Sequence, residues 1–264
     1  MRIVRITAAC LTAALLLATT GPAVARAPAA HASAPPAQTR AADAAPTRLT
    51  PAKATGIVTA RGSIQGYASR DFVIHAGAGQ TLTVSLEATS PSAYFNLLPP
   101  GSSEVAMFIG STSGNRYQGV APIAGDYTVR VYLMRSAARR KTTSNFNLTA
   151  RVAGTALVPL SAREDAVFPG TAFHAAAPVP CALPYQPDVR TCEAKVIRYD
   201  HAGTATVELR GPRDFVRRIL TVKGTPTASD ATEPPASTRS GDTTTVTIGT
   251  DERYELPDAL IIGG

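Results

Sequence analysis

Three stretches of this chain alternate apolar and polar residues with a strict period of two. In residues 81–86, Leu82, Val84 and Leu86 share one side. In residues 127–134, Tyr127, Val129, Val131 and Leu133 point one way, and Thr128, Arg130, Tyr132 and Met134 the other. In residues 145–152 the apolar set is Phe146, Leu148, Ala150 and Val152. A period of two is the strand period, with one face buried and one wetted. Phe72 and Ile74 mark another strand, and residues 93–98 a short apolar one closed by Pro99-Pro100. Gly77-Ala-Gly-Gln80 and Gly125-Asp126 supply turns. Several short alternating strands at such intervals predict an all-β chain, with a β-sandwich over residues 57–153.

Residues 155–264 form a second region. Strands at 193–199 and 204–210 flank His201-Ala-Gly203, a hairpin signal. Residues 215–223 and 243–248 add two more strands, and residues 228–241, rich in Ser, Thr and Pro, read as a loop. The expectation is a small antiparallel β-meander.

Ahead of both lies an export signal. Arg2 and Arg5 precede an apolar run over residues 8–18, followed by small-x-small patterns at residues 23–27. Residues 1–27 therefore read as a cleaved signal peptide, too short for a membrane span. The Ala-, Pro- and Thr-rich residues 28–56 carry almost no large apolar side chains, which predicts a disordered linker. The mature protein is expected in the periplasm or outside the cell, without stable membrane insertion. Cys10 leaves with the signal, so Cys181 and Cys192 have one possible disulfide pairing in an oxidising compartment. A zinc site from Cys181, Cys192, His174 and His201 is the rival, but its spacings match no common pattern. The expectation is no metal and no cofactor.

Charge separates the two halves. Residues 57–153 carry nine basic and four acidic groups, a net of +5. From residue 155 onward there are eleven basic and fourteen acidic groups, a net of −3. A basic domain favours acidic partners, and export argues against nucleic acid.

Catalytic patterns are missing: there is no Gly-x-Ser-x-Gly elbow and no His-Glu-x-x-His, so the chain reads as a binding protein. The most informative stretch runs from Tyr127 into a loop holding Arg135, Arg139, Arg140 and Lys141. A loop of about ten residues is long for a hairpin, and such loops on rigid scaffolds often carry function. Ser136-Ala-Ala138 is compatible with a helical turn, which would put Arg135 and Arg139 on one face. Two guanidinium forks side by side suit bidentate capture of carboxylates. Ser113-Gly-Asn-Arg-Tyr-Gln-Gly119 reads as a turn presenting Ser113 and Tyr117, and Tyr67 follows Gly62-Ser-Ile-Gln-Gly66.

These residues carry a resemblance. Ser113-Gly114 with Tyr117, Gly125-Asp-Tyr127, and Arg130-Val-Tyr-Leu-Met-Arg-Ser-Ala-Ala-Arg-Arg140 resemble the periplasmic inhibitors of goose-type (g-type) lysozyme. The likeness covers roughly residues 60–152. It implies a β-sandwich that is not an enzyme, with a g-type lysozyme as protein partner and Arg135 and Arg139 entering the acidic cleft. By the same likeness Tyr67, Arg140, Ser113 and Tyr117 are flanking contacts. Ala124 stands where some relatives carry a hydroxyl. The alternative is a cell-envelope accessory module binding glycan or anionic polymer. That reading needs an exposed aromatic platform, and the chain has eight Tyr, seven Phe and no Trp.

Overall fold

Strand formation follows the apolar alternation, and the computed structural model describes residues 45–186 and 188–263. The expected signal peptide and residues 28–44 of the expected linker lie outside the described residues. The first half contains β1 (Thr47–Leu49), β2 (Ile57–Gln65), β3 (Arg70–Ala76), β4 (Thr81–Ala88), β5 (Ala93–Leu98) and β6 (Phe108–Ile109). A helical turn α1 (Gly110–Ser113), β7 (Arg116–Val120), β8 (Gly125–Leu133), a second helical turn α2 (Arg135–Arg139) and β9 (Thr143–Ala153) complete it. The second half contains β10 (Ala175–Ala182), β11 (Thr191–Arg198), β12 (Ala205–Arg210), β13 (Val216–Val222) and β14 (Thr225–Ser229). It ends with β15 (Pro235–Ser240), β16 (Thr243–Ile248), β17 (Glu252–Pro257) and α3 (Asp258–Ile262).

The first half is a sandwich of two sheets, ordered β1-β3-β8-β5-β6 and β2-β9-β4-β7. The inward sides of the alternating strands meet in one core. Leu82, Val84 and Leu148 come from one sheet, and Ile74, Phe95, Leu97, Val129 and Val131 from the other. All pairings are antiparallel except β1 on β3. That strand corrects the linker reading: residues 47–49 are part of a sheet, with Leu49 buried in the core. One apolar side chain and a ladder edge suffice to order a segment whose composition gives no strand signal.

The second half is larger than the expected meander. Eight strands form one sheet, ordered β14-β13-β12-β11-β10-β17-β16-β15. It curls until β14 and β15 approach each other, making a nearly closed barrel. Its core is its own, built on Val196, Val207, Leu209, Ile219, Tyr254 and Leu256. The Ser/Thr/Pro-rich residues 228–241, expected as a loop, contain the end of β14 and all of β15. β15 faces no apolar core and so shows no alternation; its pairing with β16 alone makes it a strand. β10 was hidden by Pro178 and Pro180, which sit where only β11 pairs with it, β17 joining at Cys181 and Ala182. The Cys181–Cys192 disulfide is present and links β10 to β11.

Sandwich and barrel belong to one compact unit. The Thr206 hydroxyl donates to the Pro122 carbonyl at 2.6 Å, and Arg218 Nη1 donates to the Pro100 carbonyl at 3.0 Å. The Leu157 amide donates to the Ala78 carbonyl at 2.8 Å. Residues 78, 100 and 122 all lie in loops at the end of the sandwich where β3 and β5 finish and β4 and β8 begin. The barrel therefore caps that end and leaves the other end open.

Candidate functional site

The open end of the sandwich gathers four connections: β2–β3, β4–β5, α1–β7 and β8–β9. The registers place them together, because Gln65 pairs with Thr143, Ala88 with Phe146, Ala93 with Leu133 and Ser85 with Arg116. Tyr67, Ser113, Arg135, Arg139 and Arg140 all come to this end, from connections that sequence spacing cannot relate.

The β8–β9 connection is built from the inside out. Leu133 is the last inward residue of β8. The chain then turns helical for five residues, and the Ala138 amide closes the turn on the Met134 carbonyl at 2.9 Å. Ala137 and Ala138 are buried in the sandwich core, where longer side chains would not fit without displacement. Burial of the alanines forces Arg135, Ser136, Arg139 and Arg140 outward. Lys141, at φ 54°, ends the turn in the left-handed region, and the Thr142 amide returns to the Ala137 carbonyl.

Neighbouring connections hold this turn. The Gly66 amide donates to the Thr142 carbonyl at 3.1 Å, which sets the Tyr67 turn directly against it. Gly66 adopts φ +59°, a conformation that costs other residues strain. Met134 donates its amide to the Ser92 carbonyl, and the Asn115 amide side chain donates to the Ala93 carbonyl at 2.8 Å. The Ser90 amide donates to the Ser144 hydroxyl, and Thr89 and Asn145 bond reciprocally. The sequence carried no signal for Asn115, Ser90 or Ser144 as supports, since each acts through a distant strand.

The surface so formed is cationic and rimmed by exposed apolar groups. Tyr67 is 49% exposed and Met134 38%. Arg70, at the start of β3, and Arg116, at the start of β7, face solvent at the same end. Among the described residues no carboxylate forms an ion pair with Arg70, Arg116, Arg135, Arg139, Arg140 or Lys141. By contrast Arg130, midway along β8, is bidentate to Asp71 at 2.9 and 2.7 Å and is withdrawn from the surface.

Tyr117 lies differently from the turn residue that the sequence suggested. Residues 116–120 are a strand, not a turn, and the Tyr117 ring packs on Phe108 at 5.3 Å between centroids. Burial pushes its phenol pKa up to about 12. A Cβ on Gly119 would come within 2.3 Å of the Tyr117 hydroxyl, so the ring leans along β7 away from the open end. Ser113, the last residue of α1, is exposed at that end.

The zinc alternative has no donor set. The Cys181 and Cys192 sulfurs are bonded to each other. His174 is fixed by backbone on both nitrogens, Nδ1 accepting from the Arg198 amide at 3.1 Å and Nε2 lying 2.9 Å from the Leu160 carbonyl. Among the described residues no cluster of three His, Cys, Asp or Glu side chains could hold a metal ion, and no helix is long and apolar enough to cross a membrane.

No family model and no curated protein matches this chain. Solved structures similar to it include periplasmic lysozyme inhibitors of g-type lysozyme (PliG). That of Aeromonas hydrophila is 30% identical, with a TM-score of 0.38, over 41% of this chain and 96% of its own. That of Salmonella Typhimurium is 21% identical, with a TM-score of 0.33, over 41% of this chain and 97% of its own. A mutant of the Escherichia coli protein is 22% identical, with a TM-score of 0.32, over 41% of this chain and 97% of its own.

Proposed function

We propose that this protein inhibits a g-type lysozyme by presenting Arg135 and Arg139 to the carboxylates of the enzyme's cleft. The observation that carries the reading is a pair of guanidiniums, four residues apart on a helical turn, without a counter-charge and held by two buried alanines. Residues at i and i+4 share a helix face, so the two forks project together. A rigid support lowers the ordering cost of binding, which flexible surface arginines would have to meet at the moment of contact. The resemblance at residues 130–140 supports the same reading.

Glycoside hydrolysis generally requires carboxylates at the scissile bond, so a cationic plug competes for the groups that catalysis uses. Tyr67 and Met134 lie beside the arginines and supply apolar contact around them, while Arg140 and Ser113 extend the polar rim. Tyr117 takes part from beneath, by holding the α1–β7 corner. The chain itself acts as a binder and carries out no reaction in this role.

The test is turbidity clearance of cell walls by a g-type lysozyme, with and without the mature protein. Inhibition is expected, with little effect on a chicken-type enzyme. Losing one such charge-assisted contact costs about 2 kcal/mol or more, so Arg135→Ala alone should weaken inhibition by about 30-fold or more, and adding Arg139→Ala should weaken it further. A double variant that inhibits as well as the parent would remove the proposal.

A further inference from the structure

The barrel carries a trough that the inhibitor reading leaves unused. It opens where the sandwich loop of residues 99–107 meets the barrel, and holds about 480 Å³. A second hollow of about 260 Å³ shares Val105, Gln186, Arg213, Phe215 and Arg217 with it, so the two run together as one elongated groove. Hollows of this size at the junction of two folded parts, apolar with a few convergent polar groups, are where small ligands usually sit.

The wall chemistry narrows the ligand. Tyr185 is 94% exposed and Val105 66%, with Phe215 half-buried in the same wall. Solvent-facing apolar groups this large gain most from a ligand that covers them. The charged groups on the floor are already satisfied. Arg217 donates to both oxygens of Glu252 at 2.8 and 2.6 Å and to Asp230 at 3.1 Å, and the Tyr254 hydroxyl donates to Glu252 at 2.9 Å. What is left to meet a ligand is the Gln186 amide and the carboxylates of Glu233 and Asp251, neither of which forms an ion pair among the described residues, although Asp251 Oδ1 accepts from the Thr250 hydroxyl at 2.9 Å. Two unpaired carboxylates repel an anionic polymer, and Arg213 in the same wall opposes a strongly cationic one. A ligand with many hydroxyls and an apolar C–H face suits all of these groups together. Carboxylates and amides accept from hydroxyls, and a tyrosine ring offers a flat apolar face with a polar tip.

We infer that this trough binds a neutral glycan strand, which stacks on Tyr185 and Phe215 and hydrogen-bonds through Gln186, Glu233 and Asp251. The elongated shape accommodates several sugar units in a row. The aromatic platform that glycan binding needs is assembled here from two residues thirty positions apart. The site lies at the barrel end of the sandwich, away from Arg135 and Arg139, so it does not depend on the inhibitor reading.

The test is calorimetric titration of the mature protein with soluble tetra-N-acetylchitotetraose, alongside co-sedimentation with insoluble chitin, both without lysozyme. Saturable binding is expected. Tyr185→Ala, at an almost wholly exposed position, should weaken it by about threefold to tenfold with an unchanged unfolding midpoint. Asp251→Asn, which keeps the shape and one acceptor, should weaken it less. Absence of saturable binding in both assays, or equal affinity in Tyr185→Ala, overturns the inference. So does the opposite preference: if oligolysine binds and Glu233→Gln with Asp251→Asn abolishes it, the trough takes cationic peptides and the glycan assignment falls.

Discussion

The arginines at the open end of the sandwich and those of the barrel are the same side chain put to opposite uses. Arg135 and Arg139 stand in solvent without counter-charges, lifted by alanines that pack beneath them. Arg217 and Arg218 are drawn inward to meet Glu208, Asp230 and Glu252 in a connected network. Burial works against the Arg217 charge, but the hydrogen bonds it donates to Glu252 and the charge of Asp230 outweigh it and raise its pKa. One set of charges contributes to the fold and is closed to partners. The other contributes almost nothing to the fold and is open to them. A count of basic residues treats the two alike; only the location of the carboxylates separates them.

The contrast is sharpest in stability. Arg217→Ala should cost about 3–5 kcal/mol, because it strands Asp230 and Glu252 without their cation in a buried site. Urea unfolding followed by circular dichroism measures it, and a loss below 1 kcal/mol would place the barrel arginines with those of the sandwich. Replacing Cys181 and Cys192 with Ser should lower stability by up to about 3 kcal/mol, the chain-entropy value for a short closed loop. The same unfolding curve, with and without reductant on the parent, checks it. At the sandwich end, Ala138→Leu should cost about 1–3 kcal/mol by overpacking and should also weaken lysozyme inhibition, since the turn that holds the arginines must shift. Thermal unfolding and the clearance assay read the two effects on one protein. Arg135→Ala with Arg139→Ala should move stability by no more than about 0.5 kcal/mol while inhibition is lost, which is the signature of surface charges free of structural partners.

The smallest effect concerns β1. Arg48 hydrogen-bonds to Asp126 from that strand and, against the opposing effect of desolvation, holds the Asp126 carboxyl below its ordinary pKa, with a lesser contribution from His75. A depressed carboxyl contributes stability above its unfolded pKa and loses it as pH falls through the folded value. Amide exchange at residues 47–49 should therefore accelerate only at pH below about 4, the ordinary carboxylate value. Protection that stays unchanged below that pH would show that Leu49 alone anchors the strand.

Legibility differed between the halves for a physical reason. The strands of the sandwich separate a dry core from water, so their residues alternate, and the inward side of β8 from Tyr127 to Leu133 could be read residue by residue. β15 borders no core and β10 carries two prolines, so neither left a periodic trace, and eight strands were read as four. The arginine turn was visible as a charged interruption of an alternating pattern. Tyr117 is placed in a turn by its sequence because a turn and a strand with Gly114 before it and Gly119 within it look alike until β4 supplies the register.

The sequence by itself determined the strand period, the basic turn at residues 135–141 and the disulfide partners, because each rests on spacing along the chain or on a count of two. Tertiary structure alone decided that Tyr67, Ser113 and the arginines share one end, that the barrel closes the other, and which arginines are free. Those outcomes depend on strand register and on the placement of carboxylates tens of residues away, and neither is encoded in any local window.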